Sequence, residues 1–302
     1  MQAGAGWRGR VLAAAVAGAV MLAGCAADPA PAAPRHQHQH WRLVWTDSFS
    51  GPAGSPVSAA NWRYNTGRTG WGNNEVEKMT SSTRNVQLDG RGALDIIALG
   101  QGRSWTSGHI QTRRYFDAPA GGLLRVTASL RQPDPDSGLG YWPAFWLLGP
   151  GSWPEHGEID ILEAVNGLSR HSGTMHCGNL KDKNPDGTTG PCHEPAGIGT
   201  DLLPCTGCQT SFHTYSVIVD RLHPGNESIH WFLDHREFHS LDERRIGTAA
   251  WNQAMRGGFS IIFDVAMGGA YPDDACQCTT PTAATTSGGT LTVKYVSVFT
   301  RQ

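Results

Sequence analysis

The sequence lacks an excess of charge of either sign. Its 302 residues include 24 lysines and arginines against 26 aspartates and glutamates, and no run of basic residues is present. Proteins that bind nucleic acids electrostatically carry a basic patch or stripe, so we expect no nucleic-acid partner. The hydrophobic fraction of 39% is ordinary for a globular protein and allows a substantial core.

Helical periodicity, internal repeats and a βαβ rhythm are also lacking, and only AAWNQAMR, residues 249–256, is read as a short helix. Alternation of period two predominates, and turn clusters rich in Gly, Pro, Asn and Asp separate the alternating runs. The residues predicted to share buried faces are Leu124, Val126, Ala128 and Leu130; Tyr215, Val217 and Val219; and Ile229, Trp231 and Leu233. This pattern predicts an all-β antiparallel sandwich or barrel, with a single domain over residues 41–302.

The N-terminus reads as an export signal. Arg8 and Arg10 precede the apolar run VLAAAVAGAVML, residues 11–22, which is too short for a retained transmembrane helix. The following LAGC resembles the lipobox of bacterial lipoproteins. That resemblance implies a signal peptide over residues 1–24, lipidation of Cys25 and attachment to the outer side of the cell membrane. The alternative is cleavage nearby and release of a secreted protein.

Residues 25–40 are rich in Ala and Pro and read as an extended tether. The alternating His36, His38 and His40 suit a metal site or simple linker composition. We favour the linker interpretation, because nothing nearby supplies a further fixed ligand.

Six cysteines remain after Cys25, and an even number in an exported chain favours disulfides. They are Cys177, Cys192, Cys205, Cys208, Cys276 and Cys278. Six cysteines allow 15 pairings, among which the sequence does not choose. A redox CxxC motif and a zinc site built from the CxxC and CxC pairs are the alternatives to three disulfides.

Three carboxylates, Glu158, Asp160 and Glu163, fall within WPEHGEIDILEAVNG, residues 153–167. In a regular strand Glu158 and Asp160 share one face, whereas Glu163 points to the other. One β-bulge within Ile161–Leu162 would return Glu163 to the first face, with the outer Cα atoms about 13 to 14 Å apart. The spacing therefore predicts a bulged strand that presents three acids together.

Two carboxyl groups about 5 to 5.5 Å apart are what a retaining glycosidase needs, one as nucleophile and one as general acid. A third acid between them can hydrogen-bond the nucleophile and tune its charge. The alternative interpretation of this run is a polar edge strand with solvated acids.

The surrounding segments YWPAFWLLG and SWPEHGEIDILE, residues 141–149 and 152–163, closely resemble glycoside hydrolase family 16, the group that contains laminarinases and other endo-β-glucanases. The resemblance runs from about Leu43 to the C-terminus. Further similar segments are LVWTDSFSG, NTGRTGWGNNEVEKMT, TSGHIQT, TMHCG, FHTYSVIVD, IHWFLD and FDVAMGGAYP. The resemblance implies a β-jelly roll with an open substrate cleft.

The resemblance also implies roles for the three acids: Glu158 as nucleophile, Asp160 as its supporting acid and Glu163 as general acid/base. The extra residue before Glu163 is typical of laminarinases, which favours a β-1,3-glucan substrate over a strictly mixed-linkage one. We therefore expect a retaining endo-acting hydrolase of β-1,3-glucan or mixed β-1,3/1,4-glucan. The alternatives are a non-catalytic β-glucan-binding module, and a transglycosylase or hydrolase acting on another β-linked polysaccharide.

The resemblance assigns substrate contacts to a further set of residues, namely Trp142, Trp146, Trp153, His176, Asn73 and Asn74. Aromatic faces suit the C–H-rich face of glucose. Core packing for Trp146, a structural histidine at position 176 and turn roles for the two asparagines are the alternatives. His213 is expected to support the fold.

His109 departs from the family pattern, in which many laminarinases have arginine, and this puts the glycone subsites in question. No cofactor is expected to be required. Some members of the family bind a structural calcium away from the cleft, for which this sequence assigns no ligands. The chain is expected to act as a monomer.

Overall fold

The computed structural model describes residues 40–302. In many of the strands, buried residues alternate with more exposed ones. The predicted signal peptide, Cys25 and nearly all of the predicted tether lie outside the described residues. In the part of the chain from residue 40 onward, no helix is long and apolar enough to cross a membrane.

The described residues form many short strands and three short helices. The strands are β1 (Arg42–Asp47), β2 (Trp62–Tyr64), β3 (Glu77–Met79), β4 (Val86–Leu88), β5 (Leu94–Ile97), β6 (Leu99–Gln101), β7 (Ser104–Ser107), β8 (His109–Thr112), β9 (Leu123–Arg131), β10 (Tyr141–Leu148), β11 (Glu158–Glu163), β12 (Arg170–His176), β13 (Ile198–Gly199), β14 (Leu203–Pro204), β15 (His213–Asp220), β16 (Ser228–Leu233), β17 (Arg236–Asp242), β18 (Ser260–Met267) and β19 (Thr290–Arg301). The helices are α1 (Glu243–Ile246), α2 (Thr248–Ala254) and α3 (Ala270–Cys276).

Two antiparallel sheets make up a sandwich, as predicted. Sheet A has the order β17-β16-β15-β9-β19-β5-β4, with β1 also pairing with β19. Sheet B has the order β13-β12-β11-β10-β18-β8-β2, with β14 also pairing with β12. A small third sheet, β3-β7-β6, contains one parallel pair, β3 with β7.

The core lies between the two large sheets, and the predicted alternation is confirmed in sheet A. Leu124, Val126, Ala128 and Leu130 of β9 are buried, as are Tyr215, Val217 and Val219 of β15. Sheet B contributes aromatic residues to the same core, and the rings of Phe145 and Phe263 stack with centroids 4.7 Å apart. One face of sheet B therefore packs in the core, and its opposite face can carry polar side chains.

The predicted helix over residues 249–256 corresponds to α2, and two further short helices were not predicted. Helix α3 lies in the segment GGAYPDDAC, which reads from sequence as a Gly-rich loop. Pro272 falls in its first turn, where the missing N–H is tolerated. Seven residues are too few to show the periodicity on which a helix prediction depends.

All six of these cysteines form disulfides, as predicted, and the three pairs follow one another along the chain without overlap. The bridges are Cys177–Cys192, Cys205–Cys208 and Cys276–Cys278. The alternative of a zinc site shared by the CxxC and CxC pairs is therefore wrong, because these cysteines are bonded to each other.

Candidate active site

Strand β11 carries the three acids and contains the predicted bulge. Against β10, Leu162 pairs with Phe145 and Asp160 pairs with Trp146, so Ile161 is the extra residue. Against β12, the register likewise shifts between Asp160 and Glu163. The bulge prediction at Ile161–Leu162 is confirmed.

The bulge places Glu163 on the same face as Asp160. Asp160 and Glu163 pair with Trp146 and Ala144 of β10, which are two residues apart and therefore share a face. Ile161 and Leu162 are fully buried in the core on the other side of the sheet. We call the side of sheet B that carries Glu158, Asp160 and Glu163 the carboxylate face.

A tryptophan from the opposite sheet supports the bulge. The buried indole of Trp231, on β16, donates a hydrogen bond of 2.8 Å to the backbone carbonyl of Asp160. Gly173 of β12 makes room for this ring, since a Cβ at that position would lie 2.7 Å from Trp231 Cδ1. The bulge thus frees a backbone acceptor, and Gly173 and Trp231 together satisfy it.

His176 lies at the end of β12, directly opposite Glu158. Its Nε2 is 3.3 Å from Asp160 Oδ2 and 3.9 Å from Glu158 Oε1. Its Nδ1 is 2.7 Å from an oxygen of Glu194, a buried residue that the sequence did not single out. The predicted site residue His176 is therefore brought into the carboxylate cluster.

Trp142 and Tyr271 surround Glu163. The Trp142 indole donates a hydrogen bond of 2.8 Å to Glu163 Oε1, and the ring of Tyr271 meets Trp142 edge to face at 5.6 Å. The Tyr271 hydroxyl is 3.0 Å from the hydroxyl of Ser172, the residue opposite Glu163 on β12. Tyr271 belongs to α3, which explains why sequence reasoning missed it.

Trp146 also lies on the carboxylate face, where its indole donates a hydrogen bond of 2.7 Å to Asp264 Oδ1. The core-packing alternative for Trp146 is therefore wrong. Asp264, Glu75 and Glu77 form a second group of buried acids beside the first. Burial raises the pKa of all three, that of Glu75 to about 8, and their mutual repulsion adds to the effect on Asp264 and Glu75.

His109 packs beside Trp146 and pairs with Asp264 across the β8–β18 ladder. Its Nε2 is 3.0 Å from Asn65 Nδ2. Burial, followed by the charge of Arg63, lowers the pKa of His109 to about 3, so the imidazole is neutral at ordinary pH. A neutral ring here differs in kind from the permanently charged arginine of the family pattern.

The remaining predicted contacts lie nearer the rim. Trp153 is 40% exposed and its ring is 5.7 Å from that of His176. Asn73 donates a hydrogen bond of 3.2 Å to Glu75 Oε1, and its carbonyl accepts the N–H of Ala270 at the start of α3. Asn74 is exposed with φ of 65°, which supports the turn interpretation for this residue.

Burial dominates the electrostatics of the three acids. It raises the pKa of Glu163 to about 8, helped by the charge of Asp160 and opposed by the hydrogen bond from Trp142. It also raises the pKa of Glu158 well above its usual value, helped by Asp160 and opposed by His176. Two desolvated glutamates beside a third acid cannot all ionise at neutral pH, so the cluster retains a proton.

Within residues 40–302, two groups of three side chains bring atoms of the metal-ligand type within 4.8 Å of one another. One contains Cys205, Cys208 and His213, where the sulfurs are already bonded to each other. The other is Glu158, Asp160 and His176, at the carboxylate face itself. Neither is the all-oxygen set that calcium prefers, so the structural calcium of some family members has no assigned ligands here. His213 instead pairs with Asp234 at 2.6 Å, the supporting role expected for it.

Comparison with known proteins places these features in a family. Residues 101–196 match the family model described as an XgeA-like, catalytic GH16 domain. The chain is 31% identical to a beta-glucanase of Rhodothermus marinus over 84% of this chain and 82% of that protein. It is 29% identical to glucan endo-1,3-beta-glucosidase A1 of Niallia circulans over 86% of this chain, but spans only 38% of that longer protein.

A solved structure gives the same picture. The endo-1,3-beta-glucanase of Streptomyces sioyaensis is 42% identical and superposes with a TM-score of 0.78, covering 90% of this chain and 99% of that one.

Replacing Trp231 by phenylalanine tests the support of the bulge. Trp231→Phe leaves the Asp160 carbonyl buried without a donor, and we expect it to lower the free energy of unfolding by about 1–3 kcal/mol. Trp105→Phe is a matched control, because the buried Trp105 indole also donates to a backbone carbonyl, that of Gly102. Denaturant unfolding should show similar losses, whereas chemical shifts of the Asp160 and Glu163 carboxyls should move only in Trp231→Phe. Unmoved shifts in that variant would contradict the role given to Trp231.

Replacing Trp142 by phenylalanine tests the electrostatics of Glu163. The Trp142 N–H favours the ionised carboxylate, so Trp142→Phe should raise the pKa of Glu163 above its wild-type value of about 8. Carboxyl ¹³C chemical shifts of labelled glutamate, followed over pH, measure this pKa. A fall in the pKa would refute the hydrogen bond as a stabiliser of the anion.

Proposed function

The chain belongs to glycoside hydrolase family 16, and on that premise we propose that it is a retaining, endo-acting hydrolase of β-1,3-glucan. The observation that carries the proposal is the bulge in β11, which gathers Glu158, Asp160 and Glu163 on one face of sheet B. The bulged form of the motif favours β-1,3-glucan, and mixed β-1,3/1,4-glucan is a second substrate of the same reaction.

In the first step Glu163 acts as the acid and Glu158 as the nucleophile. Glu163 donates its proton to the glycosidic oxygen while Glu158 attacks the anomeric carbon, so the leaving chain departs with a new hydroxyl group. A carboxyl whose pKa is raised to about 8 still holds that proton at neutral pH. The product of this step is a glycosyl ester on Glu158.

In the second step Glu163 acts as a base. Esterification removes the negative charge of Glu158, and Glu163 has lost its proton to the departing chain. Glu163 now takes a proton from water, whose oxygen attacks the anomeric carbon and releases Glu158. Two inversions give net retention of configuration.

His176 distinguishes the two glutamates by its position. The imidazole lies 3.9 Å from Glu158 and favours its anion, while its effect on Glu163 is weaker than that of burial, Asp160 or Trp142. We assign the charge to Glu158, which has the imidazole of His176 3.9 Å away, and the retained proton to Glu163, because the first step requires this arrangement.

The aromatic residues of the carboxylate face are proposed to bind sugar rings. Trp142, Trp146 and Trp153 each keep part of their surface accessible beside the acids. Flat aromatic rings of this kind pack against the C–H groups of glucose without costly desolvation of hydroxyl groups.

Substitution of each glutamate tests the proposed roles. Glu163→Gln should lower kcat on laminarin by about 10²- to 10⁴-fold, since it removes the general acid. The same variant should keep more activity on an aryl β-laminaribioside, whose leaving group needs no proton. Glu158→Gln should lose both activities, because no nucleophile remains. Thermal unfolding of the variants checks that the fold is intact.

The wild-type enzyme should be assayed on laminarin, lichenan, agarose and xyloglucan, with the configuration of the first product followed by ¹H NMR. We expect laminarin to be the best substrate and the β-anomer to appear first. Near-normal turnover by either glutamine variant would refute the catalytic assignment, and binding of laminarin without release of reducing ends would favour a binding module.

The chain is further proposed to be an exported lipoprotein that acts at the cell surface as a monomer. The support is the sequence alone, in which a charged and apolar N-terminal segment ends in LAGC, residues 22–25. Residues 25–40 would then serve as a tether between the lipid on Cys25 and the hydrolase.

Replacement of the proposed lipidated cysteine tests this localisation. In cells of a bacterium that processes lipoproteins, the wild-type protein should partition with membranes, and mass spectrometry should find a mature chain that begins at a diacylated Cys25. Cys25→Ala should abolish the lipid and the membrane fraction, while laminarin hydrolysis by the purified protein stays unchanged. A wild-type chain that begins elsewhere without lipid would refute the anchor.

A further inference from the structure

A fourth acid, Glu194, is connected to the site through His176. It is 1% exposed, and its Oε2 lies 2.7 Å from His176 Nδ1. Its Oε1 accepts the backbone N–H of Cys177 at 2.9 Å. Both carboxylate oxygens are therefore occupied by protein donors, and no part of Glu194 is directed towards a substrate.

His176 consequently faces carboxylates through both ring nitrogens. Nδ1 meets Glu194, while Nε2 lies 3.3 Å from Asp160 and 3.9 Å from Glu158. A neutral imidazole has one N–H donor, whereas an imidazolium has two. An imidazolium therefore fits the carboxylates at both nitrogens, because each ring nitrogen then carries a proton to donate.

The chain holds Glu194 in place from both sides. Its backbone exchanges hydrogen bonds with Thr189, at 2.7 and 3.0 Å. The Cys177–Cys192 disulfide joins the residue after His176 to the loop that carries Glu194. A Cβ at Gly197 would lie 2.9 Å from His176 Cε1, so the returning backbone packs closely against the ring.

We propose that Glu194 is a positioning residue that keeps the His176 imidazole protonated and directed at Asp160 and Glu158, so that Glu158 enters the reaction as the anion. The inference rests on the proposed function of the site. It assigns a part in the reaction to the disulfide-closed loop after β12, through the contact of Glu194 with His176.

The acids around His176 determine whether its pKa is raised or lowered. Burial alone would lower the pKa of His176, but Asp160, Glu194 and Glu158 outweigh burial and raise this pKa well above its usual value. These three acids come from β11 and from the loop after Cys192; Trp153, packed beside the ring, carries no charge. Without Glu194, the imidazolium loses its closest carboxylate partner, at 2.7 Å.

Glu194 has two opposing influences on Glu158. Its own negative charge raises the pKa of Glu158, whereas the imidazolium that it maintains lowers it. The His176 contribution is the larger of the two. Loss of the Glu194 charge should therefore raise the pKa of Glu158 through His176, although the direct effect of removing a negative charge has the opposite sign.

Glu194→Gln tests the inference, because it removes the charge and nearly preserves the shape. In the pH profile of kcat/KM on laminarin, the acid limb should move to higher pH by about one unit. At pH values below this limb, kcat/KM should be roughly tenfold lower than in the wild type. Asp186→Asn is the matched control, since Asp186 is an exposed acid of the same loop. The control should leave the profile unchanged. An acid limb that stays in place or moves to lower pH in Glu194→Gln would overturn the inference.

A double-mutant comparison separates positioning from a general structural effect. Glu194→Gln should shift the acid limb in the wild-type background and produce little further shift in His176→Gln, because its influence passes through the imidazole. Equal shifts in both backgrounds would also overturn the inference.

The wild-type protein supplies a measurement that needs neither activity nor a folded Glu194 variant. ¹⁵N and ¹H NMR, with the His176 signals identified by their loss in His176→Gln, should show an imidazolium at pH 7 with both N–H protons present. A neutral His176 ring at that pH would refute the inference. Failure of the protein to hydrolyse any glucan would instead count against the proposed function and leave this measurement valid.

Discussion

The hydrogen bond from the Trp231 indole to the Asp160 carbonyl is the contact on which the arrangement of the three acids depends. A bulge interrupts the ladder, and a buried carbonyl left without a donor costs about 1–3 kcal/mol. The donor comes from the opposite sheet, through space that only glycine at position 173 leaves open. The geometry of the carboxylate face is thus maintained by the core of the sandwich rather than by the face itself.

The charges of the three acids also depend on the residues around them. Glu158, Asp160 and Glu163 are desolvated together, which raises the cost of ionising them all. His176 supplies positive charge on one side of the cluster, and Trp142 supplies a neutral donor on the other. In the proposed mechanism this asymmetry distinguishes Glu158, the anion, from Glu163, the acid.

Local pattern accounts for what could be predicted from the sequence. The alternation in β9 and β15 and the adjacent apolar pair Ile161–Leu162 determine faces and parity, which depend only on neighbouring residues. Glu194 and Tyr271 could not be found in this way, and for Trp231 the alternation predicted burial but not the contact with Asp160. Glu194 lies in a loop, Tyr271 in a short helix and Trp231 in the other sheet. Their distances from β11 along the sequence follow no periodic pattern. The disulfide pairing was open for the same reason.

The disulfides have a consequence for how the fold depends on its surroundings. The bridges span 15, 3 and 2 positions along the chain, so none of the three ties sheet A to sheet B. Cross-links over such short loops remove little entropy from the unfolded chain in comparison with long-range ones. Formation of the core therefore depends little on oxidation of the cysteines, and the Cys177–Cys192 bridge chiefly restrains the segment that brings Glu194 to His176.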